Sequence, residues 1–192
     1  GHSIGGYIAQ LIATPHAERV LSAVAMEAGP LASEEGKAQL GLSSPDEALW
    51  PKLMANQPQG DFERDLPGWM ESWRVLHGRL EIDEALALPY IRALYEGPAS
   101  NHQVAENHVH AMMTVPDALA QDLANCDVPL LYLHGDHDPL VPPDHGATAA
   151  QLAKNGKFAV IPGAGHMYFN QDIWDLILDE VAQHCVAADA QA

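Results

Sequence analysis

Positive charge is scarce in this chain: 9 Lys and Arg stand against 26 Asp and Glu, a formal net charge of −17. A surface of that sign repels phosphate backbones, so no nucleic-acid partner is expected. Cysteine is scarce too. Cys126 and Cys185 make neither a metal-ligand spacing nor a disulfide framework, and both are expected as buried or half-buried free thiols. Free thiols are compatible with a reducing compartment, and the expected location is cytoplasmic. No apolar run is long enough to span a membrane. Metal motifs are lacking as well. The 11 histidines include no H-E-x-x-H. In their densest cluster, His102, His108 and His110, the last two would point about 200° apart on a helix. No metal and no cofactor is expected. There is no internal repeat and no low-complexity tract.

What is present is ordinary globular composition: 192 residues, 47% hydrophobic and 18% charged, enough for one domain with a core. Ile4, Ile8, Leu11 and Ile12 recur at helical spacing, and Pro15 ends that helix near Ala13 or Thr14. A short buried strand is expected from Val20 to Met26. Residues 31–122 differ in character. Helical patches recur at Ser44–Met54, Pro67–His77, Ala85–Glu96 and His102–Met113, with Trp50, Trp69, Trp73 and four methionines among them and no convincing strand. These residues are expected to form a helical cap inserted into a core made of residues 1–30 and 123–188. Alternation then returns. Val128–Leu133 reads as a strand covered on both faces, Asp144–Ala153 as a helix, and "KFAVIPG" as a further strand. The terminal helix is expected to be capped by Asn170 and to carry a stripe of Ile173, Leu176, Ile177 and Val181. Residues after Val186 look frayed, and 189–192 are expected as a tail. Strands alternating with helices imply a parallel α/β sheet, here of three strands.

The chemistry is concentrated at three places. "GHSIGG" fits G-x-S-x-G, a serine on a sharp strand-to-helix turn whose glycines (Gly1, Gly5, Gly6) relieve backbone crowding. Ser3 would also serve as a plain helix N-cap. A serine nucleophile needs a base, and the base needs an orienting carboxylate. "HGDHDPLVPP" ends one strand and "AGHMYF" ends the next, so Asp136 or Asp138 and His166 lie at C-terminal strand ends, where open α/β sheets hold their sites. His134 and His137 read as structural or solvent-exposed.

Together, "GHSIGG", "LHGDHDPLVPP" and "IPGAGHMYF" resemble the α/β-hydrolase superfamily, in its order of Ser, acid, His. "ESWRVLHG" and "HDPLVPPDHG" are similar, more narrowly, to stretches of the aclacinomycin methylesterase type, which cleaves a methyl ester on a polyketide glycoside. The resemblance maps the nucleophile onto Ser3, the acid onto Asp138 rather than Asp136, and the base onto His166. It implies an oxyanion donor at the Ile4 backbone N–H. It implies a small-molecule ester substrate cleaved through an acyl-enzyme; His2 is expected near that substrate, and the cap is expected to line the pocket with Met112, Met113 and its tryptophans. A histidine base implies activity that rises through about pH 6 to 7. Acyltransferase, cofactor-free perhydrolase (haloperoxidase-like) and carbon–carbon bond hydrolase chemistries share the same triad, and a non-catalytic binding module is the alternative from another class. Dehalogenases and epoxide hydrolases use an aspartate nucleophile, so Ser3 speaks against them. The family draws its second oxyanion donor from a loop upstream of the elbow. With the elbow at residue 1, the chain is expected to be the C-terminal portion of a longer hydrolase, weakly folded and poorly active alone.

Overall fold

A computed structural model describes residues 1–56, 59–97, 107, 110–111 and 122–190. Its centre is a parallel three-stranded sheet in the order β1 (Ala23–Met26), β2 (Leu130–Gly135), β3 (Gly156–Ile161). Ala23 pairs with Leu130, and Leu130 with Gly156. The opening residues extend the sheet by one short step. The N–H of Ser3 donates to Met26 O at 2.8 Å, the N–H of Met26 donates to Gly1 O at 2.9 Å, and His2 bridges Met26 in parallel.

β2 is buried along its whole length, so its side chains divide between two cores. Leu130 and Tyr132 join Tyr7 and Ala13 of α1 (Ile4–Ala13) and Ala149 and Ala150 of α6 (Pro143–Leu152). Leu131 and Leu133 join Ala159, Ile161 and Ile173, with Ile177 and Val181 of α7 (Trp174–Asp189) packed against them. Helices on both faces are what a fully apolar parallel strand requires. β1 is shorter than expected, because pairing with β2 begins only at Ala23.

The buried face of α1 is not its most apolar one. Ile8, Leu11 and Ile12 are exposed, while Gly6, Tyr7, Gln10 and Ala13 are covered. Gln10 tolerates burial because its amide is satisfied: Nε2 donates to Gly29 O at 2.9 Å, and Oε1 accepts from Tyr132 Oη at 3.2 Å. α7 likewise leaves Leu176 exposed, and it continues past Val186 to Asp189, with Ala188 buried, where a frayed end was expected. Cys126 is buried as expected. Cys185 is exposed, because it lies on the outer side of α7.

Between β1 and β2 the described residues form the helices α2 (Glu34–Gln39), α3 (Leu49–Ala55), α4 (Phe62–Leu76) and α5 (Glu84–Glu96) and a 3-10 turn at Leu123–Asn125, and Gly78 makes one isolated antiparallel bridge to Ala164. α2 was not evident in the sequence; Ser33 caps it, accepting from the N–H of Gly36. α3 starts later than its apolar pattern because Asp46 caps a turn onto the N–H of Ala48. α4 starts a turn earlier than Pro67, because Asp61 accepts from the N–H of Arg64. Met70, Ala87 and Ile91 form a third core with Trp69, Trp73 and Phe169. The expected helix His102–Met113, with Met112 and Met113, falls largely outside the described residues. No helix of the described residues is long and apolar enough to cross a membrane.

The loops at the strand ends approach so closely that glycine is required. A Cβ on Gly135 would lie 2.4 Å from Ala164 O and 2.6 Å from Gly165 O, both backbone atoms. Gly135→Ala is therefore expected to destabilise the fold by about 1–3 kcal/mol, read as a lower urea midpoint with unchanged slope.

Candidate active site

The carboxyl ends of the strands, together with the elbow before α1, bring the sequence-predicted residues into one place. Ser3 stands between the end of the Gly1–Ser3 segment and α1 with φ 52° and ψ −122°. Left-handed backbone at a serine is strained. The glycines fit unequally. A Cβ on Gly1 would lie 2.0 Å from Gly5 O, and one on Gly6 would lie 2.8 Å from Ala28 Cβ, whereas one on Gly5 would meet open space. Two of the three glycines are thus sterically required. Among the described residues the Ser3 hydroxyl makes no hydrogen bond, and the N–H of Ile4 has no acceptor.

Asp138 and His166 form a buried pair. His166 Nδ1 donates to Asp138 Oδ2 at 2.7 Å, and the Asp138 Oδ1 atom accepts from the N–H groups of Leu140 (2.8 Å) and Val141 (3.0 Å). Burial alone would raise the Asp138 pKa, but the hydrogen bond and charge of His166 outweigh it and hold it low. Asp136 is engaged elsewhere: its Oδ1 accepts from His137 Nδ1 and from the N–H of Gly163, each at 2.6 Å. His137 is accordingly a part-exposed partner of Asp136. With Nδ1 protonated toward Asp138, His166 keeps its basic lone pair on Nε2.

His2 ties the elbow to the histidine loop. Its Nε2 donates to the His166 carbonyl at 2.7 Å, and the two rings lie 5.0 Å apart. Ser3 and His166 are therefore neighbours through His2, without a direct hydrogen bond. Burial first, and the charge of His166 second, lower the pKa of His2 to about 4. An unfolded histidine titrates near 6.5, so between about 6.5 and 4 the unfolded chain binds more protons, and stability falls as pH drops through that window. The stability difference between wild type and His2→Gln, measured by urea unfolding at several pH values, is expected to shrink by up to about 3 kcal/mol from pH 6.5 to 4.

One group, Glu27, escaped the sequence reading. Glu27 follows β1 directly and is fully buried, with φ 50°; Ser3 and Glu27 are the two non-glycine residues of positive φ among the described residues. Its Oε1 accepts from the N–H of Gly135 at 2.8 Å and from the Tyr168 hydroxyl. His134, expected to be structural or exposed and close to the site, is fully buried beside it. A signal was available: "AMEAGP" puts an acid just past a buried strand, level with the Asp138 and His166 loops.

Glu27, His134 and Asp138 each place one potential ligand atom within 4.8 Å of the others. The donor set nevertheless fits a cation poorly. His134 Nε2 lies 2.8 Å from the Val141 carbonyl oxygen, which can only accept, so Nε2 carries its hydrogen and has no lone pair for a metal. Burial lowers the pKa of His134, which keeps the ring neutral.

The model of the alpha/beta hydrolase fold family matches residues 1–172. The chain belongs to the α/β-hydrolase family. Among its relatives are the rhodomycin D methylesterases DauP of Streptomyces sp. (strain C5) and DnrP of Streptomyces peucetius. DauP is 28% identical over 181 residues, covering 86% of this chain and 59% of the relative. DnrP is 27% identical with the same coverage. This α/β hydrolase thus spans 59% of the length of the curated relatives it matches, and their activity is in keeping with the methylesterase resemblance of its motifs. In fold it is similar to 2-hydroxy-6-oxo-6-phenylhexa-2,4-dienoate hydrolase from Rhodococcus sp. strain RHA1, with TM-score 0.66, 18% identity, and 96% of this chain and 62% of that one covered. The enol-lactonase from Burkholderia xenovorans LB400 is similar at TM-score 0.63 and 18% identity, with 97% and 64% covered.

Proposed function

We propose that this α/β hydrolase is a serine esterase that cleaves a carboxylic ester, a methyl ester first among candidates, through an acyl-enzyme. The observation that carries this reading is the buried His166–Asp138 hydrogen bond of 2.7 Å, set beside an elbow serine in left-handed backbone. Ser3 Oγ attacks the ester carbonyl while its proton passes to His166 Nε2. Asp138 holds the tautomer and offsets the imidazolium charge. The N–H of Ile4, which heads α1, donates to the developing oxyanion. Collapse of the tetrahedral intermediate breaks the ester C–O bond, and His166 returns the proton to the leaving alcohol. Water then attacks the acyl-enzyme and gives one proton to His166, which passes it to Ser3 Oγ as the acyl C–O bond breaks and the acid is released. The methyl ester is chosen because two relatives are methylesterases. In the same reading the helices between β1 and β2 are the cap that bounds the substrate, with His2, Met112 and Met113 near it.

A fluorophosphonate probe tests this directly. In the whole protein, stoichiometric labelling located at Ser3 by peptide mass spectrometry, together with methanol release from aryl methyl esters, is the expected result. A folded protein that neither labels at Ser3 nor releases an alcohol from any ester of a broad panel would overturn the reading.

A further inference from the structure

Glu27 has an oxygen with nowhere to place a lone pair. Its Oε1 is doubly occupied as an acceptor, by the N–H of Gly135 and the hydroxyl of Tyr168. Its Oε2 is buried and accepts no hydrogen bond. Oε2 lies 3.1 Å from His134 Nε2, but that N–H is directed to the Val141 carbonyl 2.8 Å away. The remaining polar neighbour of Oε2 is the Asp138 carboxylate, whose Oδ2 already accepts from His166 Nδ1 and lies 3.6 Å from His134 Nε2. Two carboxylates side by side in a fully buried setting repel each other and lack solvent to screen them.

We propose that Glu27 is a permanently protonated positioning acid: its Oε2–H donates to Asp138, so that two adjacent buried carboxyl groups carry one proton and one negative charge, the charge residing on Asp138. Every oxygen of the two carboxyl groups is then matched. Oε1 is the carbonyl oxygen and accepts twice, Oε2 is the hydroxyl and donates once, and Asp138 gains a donor in addition to His166 and the N–H groups of Leu140 and Val141. The left-handed backbone at Glu27 is what turns the side chain inward at the strand end. The facing titratable groups agree. Burial first, then the Asp138 charge, push the Glu27 carboxyl well above its usual range. Tyr168 is raised, by burial and then by Glu27, and keeps its proton. Neutral His134 supplies no positive charge to ionise Glu27, and His2, packed against Tyr168, is neutral above about pH 4.

The positioning role rests on the esterase reading, in which Asp138 must be charged and correctly aimed when the imidazolium forms. The proton on Glu27 does not rest on it and is measured without turnover. Infrared difference spectra between wild type and Glu27→Gln at neutral pH should show the carbonyl stretch of a protonated carboxylic acid in the wild type alone. Glutamine keeps both halves of the arrangement, since its carbonyl still accepts from Gly135 and Tyr168 and its amide still donates to Asp138. The titration midpoint of the His166 ring, followed by NMR, should therefore stay in place in Glu27→Gln. Were Glu27 ionised, removing its charge would lower that midpoint by about one unit or more. Carboxylate bands in place of the acid band, or that downward shift, would overturn the proposal. In the active protein, Glu27→Leu should lose roughly 10- to 100-fold in kcat relative to Glu27→Gln, because it removes a hydrogen bond to a charged group. Equal kcat in the two variants would refute the positioning role. A protein with the acid band but no ester hydrolysis would refute the esterase reading alone.

Discussion

Ser3→Ala is expected to lower kcat for ester hydrolysis by about 10⁴-fold or more and to abolish fluorophosphonate labelling, with KM little changed. The substitution is unusually clean here. Among the described residues the Ser3 hydroxyl makes no hydrogen bond, so its removal orphans no partner. Its backbone bond to Met26, which holds the elbow to β1, is untouched. Alanine is no less at home than serine at φ 52°. Stability should therefore stay within about 0.5 kcal/mol of wild type, so that lost turnover reports lost chemistry. Turnover within tenfold of wild type, with the variant folded, would place the nucleophile elsewhere.

The second large effect is expected at Asp138→Asn, about 10⁴-fold in kcat, and its cause lies in which oxygen does what. Oδ1 accepts from two backbone N–H groups, Leu140 at 2.8 Å and Val141 at 3.0 Å. In asparagine the carbonyl oxygen must keep that position, because an amide nitrogen there would face two donors. The NH2 group is then forced to the place of Oδ2, 2.7 Å from His166 Nδ1 in the wild type. A donor at that place demands a lone pair on Nδ1, which moves the ring hydrogen to Nε2. The base then presents a hydrogen to Ser3 where a lone pair is needed. The fold should hold, checked by circular dichroism and thermal melting. A loss of less than tenfold would mean that Asp138 does not set the tautomer.

The parallel sheet was legible because β2 is covered on both faces, and burial on both faces leaves an uninterrupted apolar run in the sequence. The positions of Ser3, Asp138 and His166 were legible because each sits in a loop whose local constraints, glycine crowding or an acid before proline, are written in adjacent residues. The covered face of α1 was not legible. Gln10 is buried because Gly29, 19 residues away, and Tyr132, 122 residues away, satisfy its amide, and no local pattern announces such partners. Glu27 escaped for the same reason. Its chemistry is set by Gly135, Asp138 and Tyr168, all more than 100 residues distant. The early start of α4 shows the opposite limit: Asp61 is local, but Pro67 is the louder signal, and a proline in the second turn ends nothing when a cap lies upstream of it.

The lacing between α4 and the histidine loop has a bearing on how this protein can be altered. The carbonyl of Leu76 accepts from the N–H groups of His166 (2.6 Å) and Met167 (3.2 Å), and the carbonyl of His77 accepts from that of Gly165 at 3.1 Å. Gly78 and Gly165 are so close that a Cβ on either would fall 2.5 or 2.3 Å from the other's backbone nitrogen. A chimera that borrows foreign helices in place of α2 to α4 must therefore place its downstream splice before Leu76. A crossover a few residues later would exchange the very peptide groups on which the His166 backbone hangs.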